Sequence, residues 1–157
     1  MEWTKAVLTE IPQLIEMRIA YLTEDYHSLT LHQQQAIRGQ LPEYFAGHLN
    51  KDLIVFVARE EKTIVATAFL LVTHMPANPG AITGRFGTML NVYTKPEYRR
   101  QGISRKLVSM ALEYARKEQL SYVELDSTND GLALYKSLEF EEKVSRYTPM
   151  VYKLLEK

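Results

Sequence analysis

Apolar residues recur at helical spacing through the first third of the chain. Thr9 can cap a helix that runs to about residue 22. A second helix is predicted from Leu31 to His48, where apolar residues stand four apart. Because Pro42 lies inside this segment and lacks a backbone donor, we expect the second helix to kink or to begin anew there. The predicted inner faces carry Leu14, Ile15, Ile19 and Leu22 in the first helix and Ile37, Leu41, Phe45 and Leu49 in the second.

The hydrophobic pattern changes to strand spacing after the second helix. Residues 53–58 are an uninterrupted apolar run and predict a buried strand, which a polar turn at 59–63 joins to a second strand over 64–72. Proline and glycine then mark a loop, and a third strand is predicted over 85–94. The remaining predicted elements are a helix over 101–119, a strand over 122–125, a short helix over 131–138 and a final strand over 150–155.

This order of elements predicts a mixed α/β fold. Three successive strands can pair as an antiparallel meander, and the later elements alternate helix with strand. One short strand at either end can escape the pattern. With 157 residues, the chain suits one domain over residues 1–157. We expect a central, mostly antiparallel twisted sheet with helices on both faces.

Composition narrows the class of function. The 19 basic and 19 acidic residues balance, without the positive excess that nucleic-acid binding requires. The chain has no cysteine, which excludes disulfides, thiolate metal sites and a cysteine nucleophile. The N-terminus lacks a signal-peptide pattern, and no apolar run approaches the length of a membrane span. We therefore expect a cytoplasmic protein with neither nucleic-acid nor membrane partners.

The turn between the third strand and the long helix is the most informative segment. Residues 99–104 follow Pro96, which ends the strand. A helix N-terminus offers unpaired N–H groups and a partial positive charge to an anion, and the small residues Gly102 and Ser104 let a phosphate approach closely. The arginines of this segment, which can either add charge to a phosphate site or form the solvated face of an amphipathic helix, are Arg99, Arg100 and Arg105.

The segment resembles the pyrophosphate motif of the GNAT superfamily of acetyl-CoA-dependent N-acetyltransferases. The motif Q/R-x-x-G-x-G/A is matched by Arg99, Arg100, Gln101, Gly102, Ile103 and Ser104. Ser104 stands in place of the usual glycine or alanine. About thirty residues further on, Leu134 and Tyr135 of a short predicted helix and then Phe140 follow the family's closing pattern. Glu139 replaces a glycine there, at a cost of about 1–2 kcal/mol if the position needs a left-handed backbone.

The resemblance implies acetyl-CoA as co-substrate and no metal. The sheet would splay between the strand ending at Thr94 and the strand over 122–125, where the backbone of Val92 and Thr94 would pair with the pantetheine arm. The N–H of Val92 can polarise the carbonyl oxygen, and Tyr135 would protonate the departing thiolate. The cofactor-binding residues implied in this way are Val92, Tyr93, Thr94, Arg99, Arg100, Gln101, Gly102, Ile103, Ser104, Arg105, Thr128, Asn129 and Tyr135.

Other assignments stay open at this stage. Candidates for the general base are His74, Glu124 and Asp126, each of which also suits an ordinary surface, strand or capping position. Tyr135 can equally be a core aromatic residue. We predict transfer of an acetyl group to a primary amine, of a small molecule rather than a protein, directly within a ternary complex. The alternative is a non-catalytic acyl-CoA-binding sensor or regulatory domain. A homodimer is common in the family.

Overall fold

The computed structural model describes residues 1–155 and contains a five-stranded sheet in the order β1-β2-β3-β4-β5. Neighbouring strands pair antiparallel except for β4 and β5, which are parallel. The predicted mixed α/β class and mostly antiparallel sheet are confirmed. The elements are β1 (Glu2–Lys5), α1 (Ile11–Asp25), α2 (Leu31–His48), β2 (Leu53–Glu60), β3 (Thr63–His74), β4 (Arg85–Thr94), α3 (Ile103–Lys117), β5 (Val123–Glu124) and α4 (Leu132–Ser137).

The chain divides into two compact units. The first, Met1–Asp126, contains the whole sheet and helices α1 to α3. The second, Ser127–Lys157, contains α4 and is described as far as residue 155. The expectation of a single domain stays a prediction. Within residues 1–155, no helix combines the length and apolar character needed to cross a bilayer.

Helices cover both faces of the sheet. Alternate residues of a strand point to opposite faces, and residues 53–59 of β2 are all buried. On one face, Phe56 packs edge-on against Tyr114 of α3, with ring centroids 6.0 Å apart. Burial on both faces explains why residues 53–58 of β2 are an unbroken apolar run. The core on the other face includes Leu14 and Met17 of α1, Leu41 and Phe45 of α2, and Leu53, Val55 and Val57 of β2.

The first two helices begin differently from each other. Helix α2 has its predicted bounds and a capping box, in which the Gln33 amide donates to Thr30 Oγ1 at 3.1 Å. It continues through Pro42, so the alternative of a second helix beginning there is wrong. The predicted cap at Thr9 is also wrong, because a 3-10 turn, Leu8–Glu10, precedes α1. Glu10 closes that turn by accepting the Val7 amide at 2.9 Å.

The two ends of the chain depart from the predicted pattern. Strand β1 pairs with β2 but is too short and polar to have a recognisable period, and it is the strand missed at the N-terminal end. The predicted final strand over 150–155 is wrong. A strand needs a hydrogen-bonded neighbour, and no residue of the described chain pairs with that segment. Its apolar side chains, each at least 80% exposed, are Met150, Val151, Tyr152, Leu154 and Leu155.

Candidate active site

The sheet opens between β4 and β5. These strands pair only at Gly87 with Val123 and at Thr88 with Glu124. Beyond that point β4 runs on to Thr94, and no strand of the described chain lies on that side of residues 89–94. The backbone groups along this edge can therefore pair with an extended ligand, as a further strand would. The predicted splay is confirmed.

A bulge interrupts β4 halfway along this open edge. Thr67 of β3 pairs with Tyr93, but the next pair is Phe69 with Leu90, so two residues of β4 stand opposite one of β3. One of the two, Asn91, has a left-handed backbone with φ of 49°. A bulge leaves an extra residue outside the ladder and turns its neighbours. The predicted oxyanion donor, the amide of Val92, therefore lies within the bulge.

The side chain of Asn91 holds the bulge in place. It is only 2% exposed, and its Nδ2 donates to Thr67 Oγ1 at 3.2 Å. Thr67 Oγ1 in turn donates to the Asn91 carbonyl at 2.9 Å. Arg18 of α1 reaches across and donates from Nη1 to Asn91 Oδ1 at 3.3 Å. Sequence reasoning missed both Asn91 and Arg18, and the available signal was a polar residue inside a buried strand.

The beginning of α3 presents backbone amides without partners. The first helical hydrogen bond runs from the Lys106 amide to the Gly102 carbonyl at 3.1 Å. The amides of Gly102, Ile103 and Ser104 therefore have no acceptor in residues 1–155. Gly102 has φ of 74°, and a Cβ built there would meet no atom within 4 Å. The space beside Gly102 is open, and the three donors without acceptors fit the predicted pyrophosphate site.

The arginines beside this turn have different roles. The Arg99 guanidinium donates to the Thr94 carbonyl from Nε and to the Glu24 carboxylate from Nη2, both at 2.8 Å. Its hydrogen bond with Glu24 raises the pKa of Arg99. The charge of Arg99 is thus compensated within the protein. Arg100 is exposed, with φ of 65°, and its side chain has no ion pair or hydrogen bond within the described chain. Arg105 lies in the first turn of α3.

Two further predicted residues of β4 pack within the protein. The hydroxyl groups of Thr94 and Ser104 lie 2.9 Å apart, which joins the end of β4 to the first turn of α3. The Tyr93 ring is buried and stands edge-on to the ring of Tyr21, with centroids 6.3 Å apart. Burial raises the pKa of both phenols. Any cofactor contact of Tyr93 is therefore expected from its backbone.

The three candidate bases lie at different distances from the bulge. His74 pairs with Arg85 at the far end of β4, about 20 Å from Asn91 at roughly 3.4 Å per residue. Its Nε2 accepts a hydrogen bond from Arg85 Nε at 3.1 Å. Glu124 lies on β5 beside the point where the sheet opens, and Asp126 follows two residues later. The placement favours these carboxylates over His74.

In the second unit, Tyr135 lies on α4. Its ring stands edge-on to Phe140, with centroids 5.6 Å apart. A Cβ on Gly131 would come within 2.9 Å of the Tyr135 ring, so the glycine makes room for it. Thr128 and Asn129 support the beginning of α4: Thr128 Oγ1 accepts the Gly131 amide, and the Asn129 carbonyl accepts the amide of the first helical residue.

Helix α4 ends in a Schellman motif. The Glu139 amide donates to the Lys136 carbonyl and the Phe140 amide to the Tyr135 carbonyl, both at 3.0 Å. Glu139 has φ of 69°. The position therefore has the left-handed backbone that the sequence analysis considered. Glutamate adopts this conformation at a higher free-energy cost than glycine does.

Comparison with known proteins agrees with this geometry. The chain matches the model of the Acetyltransferase (GNAT) family over residues 11–140. It has no significant match among the curated proteins.

Several solved structures share the fold. A predicted acetyltransferase from Clostridium acetobutylicum, solved with acetyl-CoA, gives a TM-score of 0.84 at 24% identity, covering 96% of this chain and 95% of that one. Glucosamine-6-phosphate N-acetyltransferase from Arabidopsis thaliana gives 0.69 at 15% identity, covering 95% and 97%. An aminoglycoside acetyltransferase from an uncultured soil metagenomic sample gives 0.67 at 16% identity, covering 96% of both chains. With an open sheet edge, a bulged β4 and free amides at the start of α3, the chain belongs to the GNAT family of acetyltransferases, whose co-substrate is acetyl-CoA.

Proposed function

We propose that this acetyltransferase moves the acetyl group of acetyl-CoA directly to a primary amine of a small molecule, within a ternary complex. Two proteins of similar fold are named for small amine-bearing acceptors, a glucosamine phosphate and an aminoglycoside. The chain also has no cysteine that could carry the acetyl group as a covalent intermediate.

The observation that carries the proposal is the set of unpartnered amides at the start of α3. The amides of Gly102, Ile103 and Ser104 have no acceptor in residues 1–155, the space beside Gly102 is open, and the exposed Arg100 precedes them. Such a helix terminus binds phosphate groups because its partial positive charge and its free N–H groups act together. The terminus directly follows the open edge of β4, so one extended ligand can run along both.

Each proposed catalytic group acts at a stated atom. The co-substrate supplies an acetyl thioester, whose carbonyl oxygen gains negative charge during transfer. The Val92 N–H donates to that oxygen, and the Asn91 side chain fixes the bulge that aims it. The Tyr135 hydroxyl gives its proton to the departing sulfur. Glu124 or Asp126 accepts a proton from the amine, which must be neutral to react.

Turnover of an amine panel tests the function. Free CoA is followed with a thiol reagent, and the absence of cysteine keeps the protein background low. Tyr135→Phe is expected to lower kcat by about 10²- to 10⁴-fold, the usual contribution of a positioned acid. Tyr152→Phe, at an exposed tyrosine of the same unit, is the matched control and should keep full activity. Tight binding of acetyl-CoA with no turnover of any amine would instead support the sensor alternative.

A further inference from the structure

A cavity of about 750 Å³ lies between α1, α2 and the loop that joins them. Its wall is mainly apolar, from leucine, isoleucine and alanine side chains, with a few neutral polar groups. Arg18 is the charged member of the set of residues that line it, and no aspartate or glutamate belongs to that set. The cavity therefore combines an apolar wall with one positive charge.

Arg18 differs from the other arginines that are at least half buried. Arg38, Arg59, Arg85 and Arg99 each form an ion pair with a glutamate. Arg18 has no carboxylate within ion-pair distance in the described chain, and one of its five N–H donors is used, toward Asn91. Burial lowers the pKa of Arg18, and the groups that oppose this are the hydroxyls of nearby tyrosines, which are neutral at pH 7. A half-buried cation without a counter-charge is unfavourable unless a ligand supplies one.

Arg18 lies next to the β4 bulge that contains the proposed oxyanion donor, the Val92 amide. Its Nη1 lies 3.3 Å from Asn91 Oδ1, and Asn91 belongs to the bulge that contains the Val92 amide. An anion held by the remaining donors of Arg18 would therefore lie a short distance from the acetyl group. A guanidinium binds carboxylates and phosphates with two parallel hydrogen bonds, which also fixes the orientation of the bound molecule.

We infer that the Arg18 guanidinium binds an anionic group of the acceptor, so that the acceptor is an amine that also carries a carboxylate or a phosphate. The inference rests on the proposed acetyl transfer and names its substrate class. A short spacer separates the amine from the anion, and an apolar part of the acceptor packs against the leucine-lined wall. Polycationic amines are poor substrates, because Arg18 repels them and no carboxylate in the cavity attracts them.

Matched pairs of amines test this assignment. L-leucine is compared with L-leucinamide for the carboxylate, phosphoethanolamine with ethanolamine for the phosphate, and cadaverine serves as a dication. We expect the anionic member of at least one pair to have about tenfold or higher kcat/KM, as a charge-assisted hydrogen bond provides. The pair that shows the difference identifies the anion.

Variants of Arg18 assign the preference to this residue. Arg18→Met should abolish it, and Arg18→Lys should keep part of it, because the charge remains while the planar fork is lost. Arg38→Met, at an arginine paired with Glu16, is the control and should keep the preference. Circular dichroism shows whether each variant is folded.

The outcomes separate this inference from the proposed function. Equal kcat/KM within both pairs, faster turnover of cadaverine, or a preference that survives in Arg18→Met would overturn the inference while acetyl transfer stands. If no amine is acetylated, the proposed function fails, and calorimetry with L-leucine and phosphoethanolamine decides the anion site alone. Binding that disappears in Arg18→Met supports the site, and a lack of binding to the unmodified protein overturns it.

Discussion

Two residues with left-handed backbones, Asn91 and Glu139, show how a single position can serve the fold in different ways. Asn91 has φ of 49°, and the hydrogen bonds of its side chain to Thr67 and Arg18 offset the strain of this left-handed backbone. Asparagine also adopts this region more readily than most residues. Glu139 has φ of 69° and gains nothing comparable beyond the backbone bonds of the Schellman motif. We propose that the first is part of the active site, whereas the second is a source of strain that substitution can relieve.

Glu139→Gly is expected to stabilise the end of α4 by about 1 kcal/mol, because glycine removes the left-handed penalty and retains the motif. Hydrogen exchange of the Phe140 amide, which donates to Tyr135, measures the effect, and its protection should rise about fivefold. Glu141→Gly is the control, because Glu141 is exposed and is not among the residues with positive φ. Equal or lower protection in Glu139→Gly would contradict this interpretation.

The junction between β4 and α3 brings together the groups that we propose bind the cofactor. The strand supplies an open edge, and the start of the helix supplies three amides that have no acceptor among the residues that the structure describes. Arg99 stabilises this junction by donating to the Thr94 carbonyl and to Glu24. The hydroxyl contact between Thr94 and Ser104 stabilises it as well. Arg100 is exposed, and we propose that it contacts the phosphates of the cofactor.

Arg100→Ala is expected to weaken acetyl-CoA binding about three- to tenfold, or roughly 1 kcal/mol, which suits an exposed charge near a phosphate. Isothermal calorimetry measures the affinity, and the loss should shrink at high salt. Arg116→Ala removes the same charge from the last turn of α3 and should leave the affinity unchanged. Identical affinities for wild type and Arg100→Ala would place the pyrophosphate elsewhere.

A second junction, between the turn before α1 and strand β2, depends on the ion pair of Glu10 and Arg59. The hydrogen bond from Arg59 is the main reason that the pKa of Glu10 is lowered from 4.5. A lowered pKa stabilises the folded protein above the unfolded value, and the contribution disappears as the pH falls through the folded value. Glu10→Gln should therefore lower the free energy of unfolding by about 1–3 kcal/mol at pH 7, and this difference should vanish in acid.

Denaturant unfolding at several pH values measures this difference. Glu16→Gln is the control, since Glu16 forms a more exposed pair with Arg38, and its effect should be under about 1 kcal/mol. A penalty for Glu10→Gln that persists well below pH 4.5 would show that packing, rather than charge, accounts for the loss.

Across the whole molecule, local patterns were enough to predict most elements. Helix α2 and strand β4 have their predicted bounds, because their hydrophobic patterns are encoded locally. The turn that we propose binds the pyrophosphate was also predicted, since glycine and proline mark it. By contrast, β1 is stabilised by its pairing with β2. Its four residues are too few to show the alternation of hydrophobic and polar positions that predicts a strand. The same dependence on a partner strand explains the wrong strand over 150–155.

The residues that we propose for the acceptor side of the site could not be identified from the sequence, for a related reason. Arg18 and Asn91 are 73 positions apart, and only the packing of α1 over the sheet brings them together. In the sequence, an arginine on an amphipathic helix cannot be distinguished from a solvent-exposed arginine. That Arg18 has no carboxylate partner in the described chain is visible only in the structure. The bulge in β4 likewise depends on the register of β3, which the β4 residues do not specify alone.

We propose that the amides of Gly102, Ile103 and Ser104 are the donors that hold the pyrophosphate of the co-substrate. Titration of ¹⁵N-labelled protein with CoA, followed by amide resonances, tests it most directly. We expect these three resonances to move strongly and to saturate together with binding, while the amides at the far end of α3 stay in place. Saturable CoA binding that leaves the three amide resonances unshifted would contradict the placement of the pyrophosphate at the start of α3.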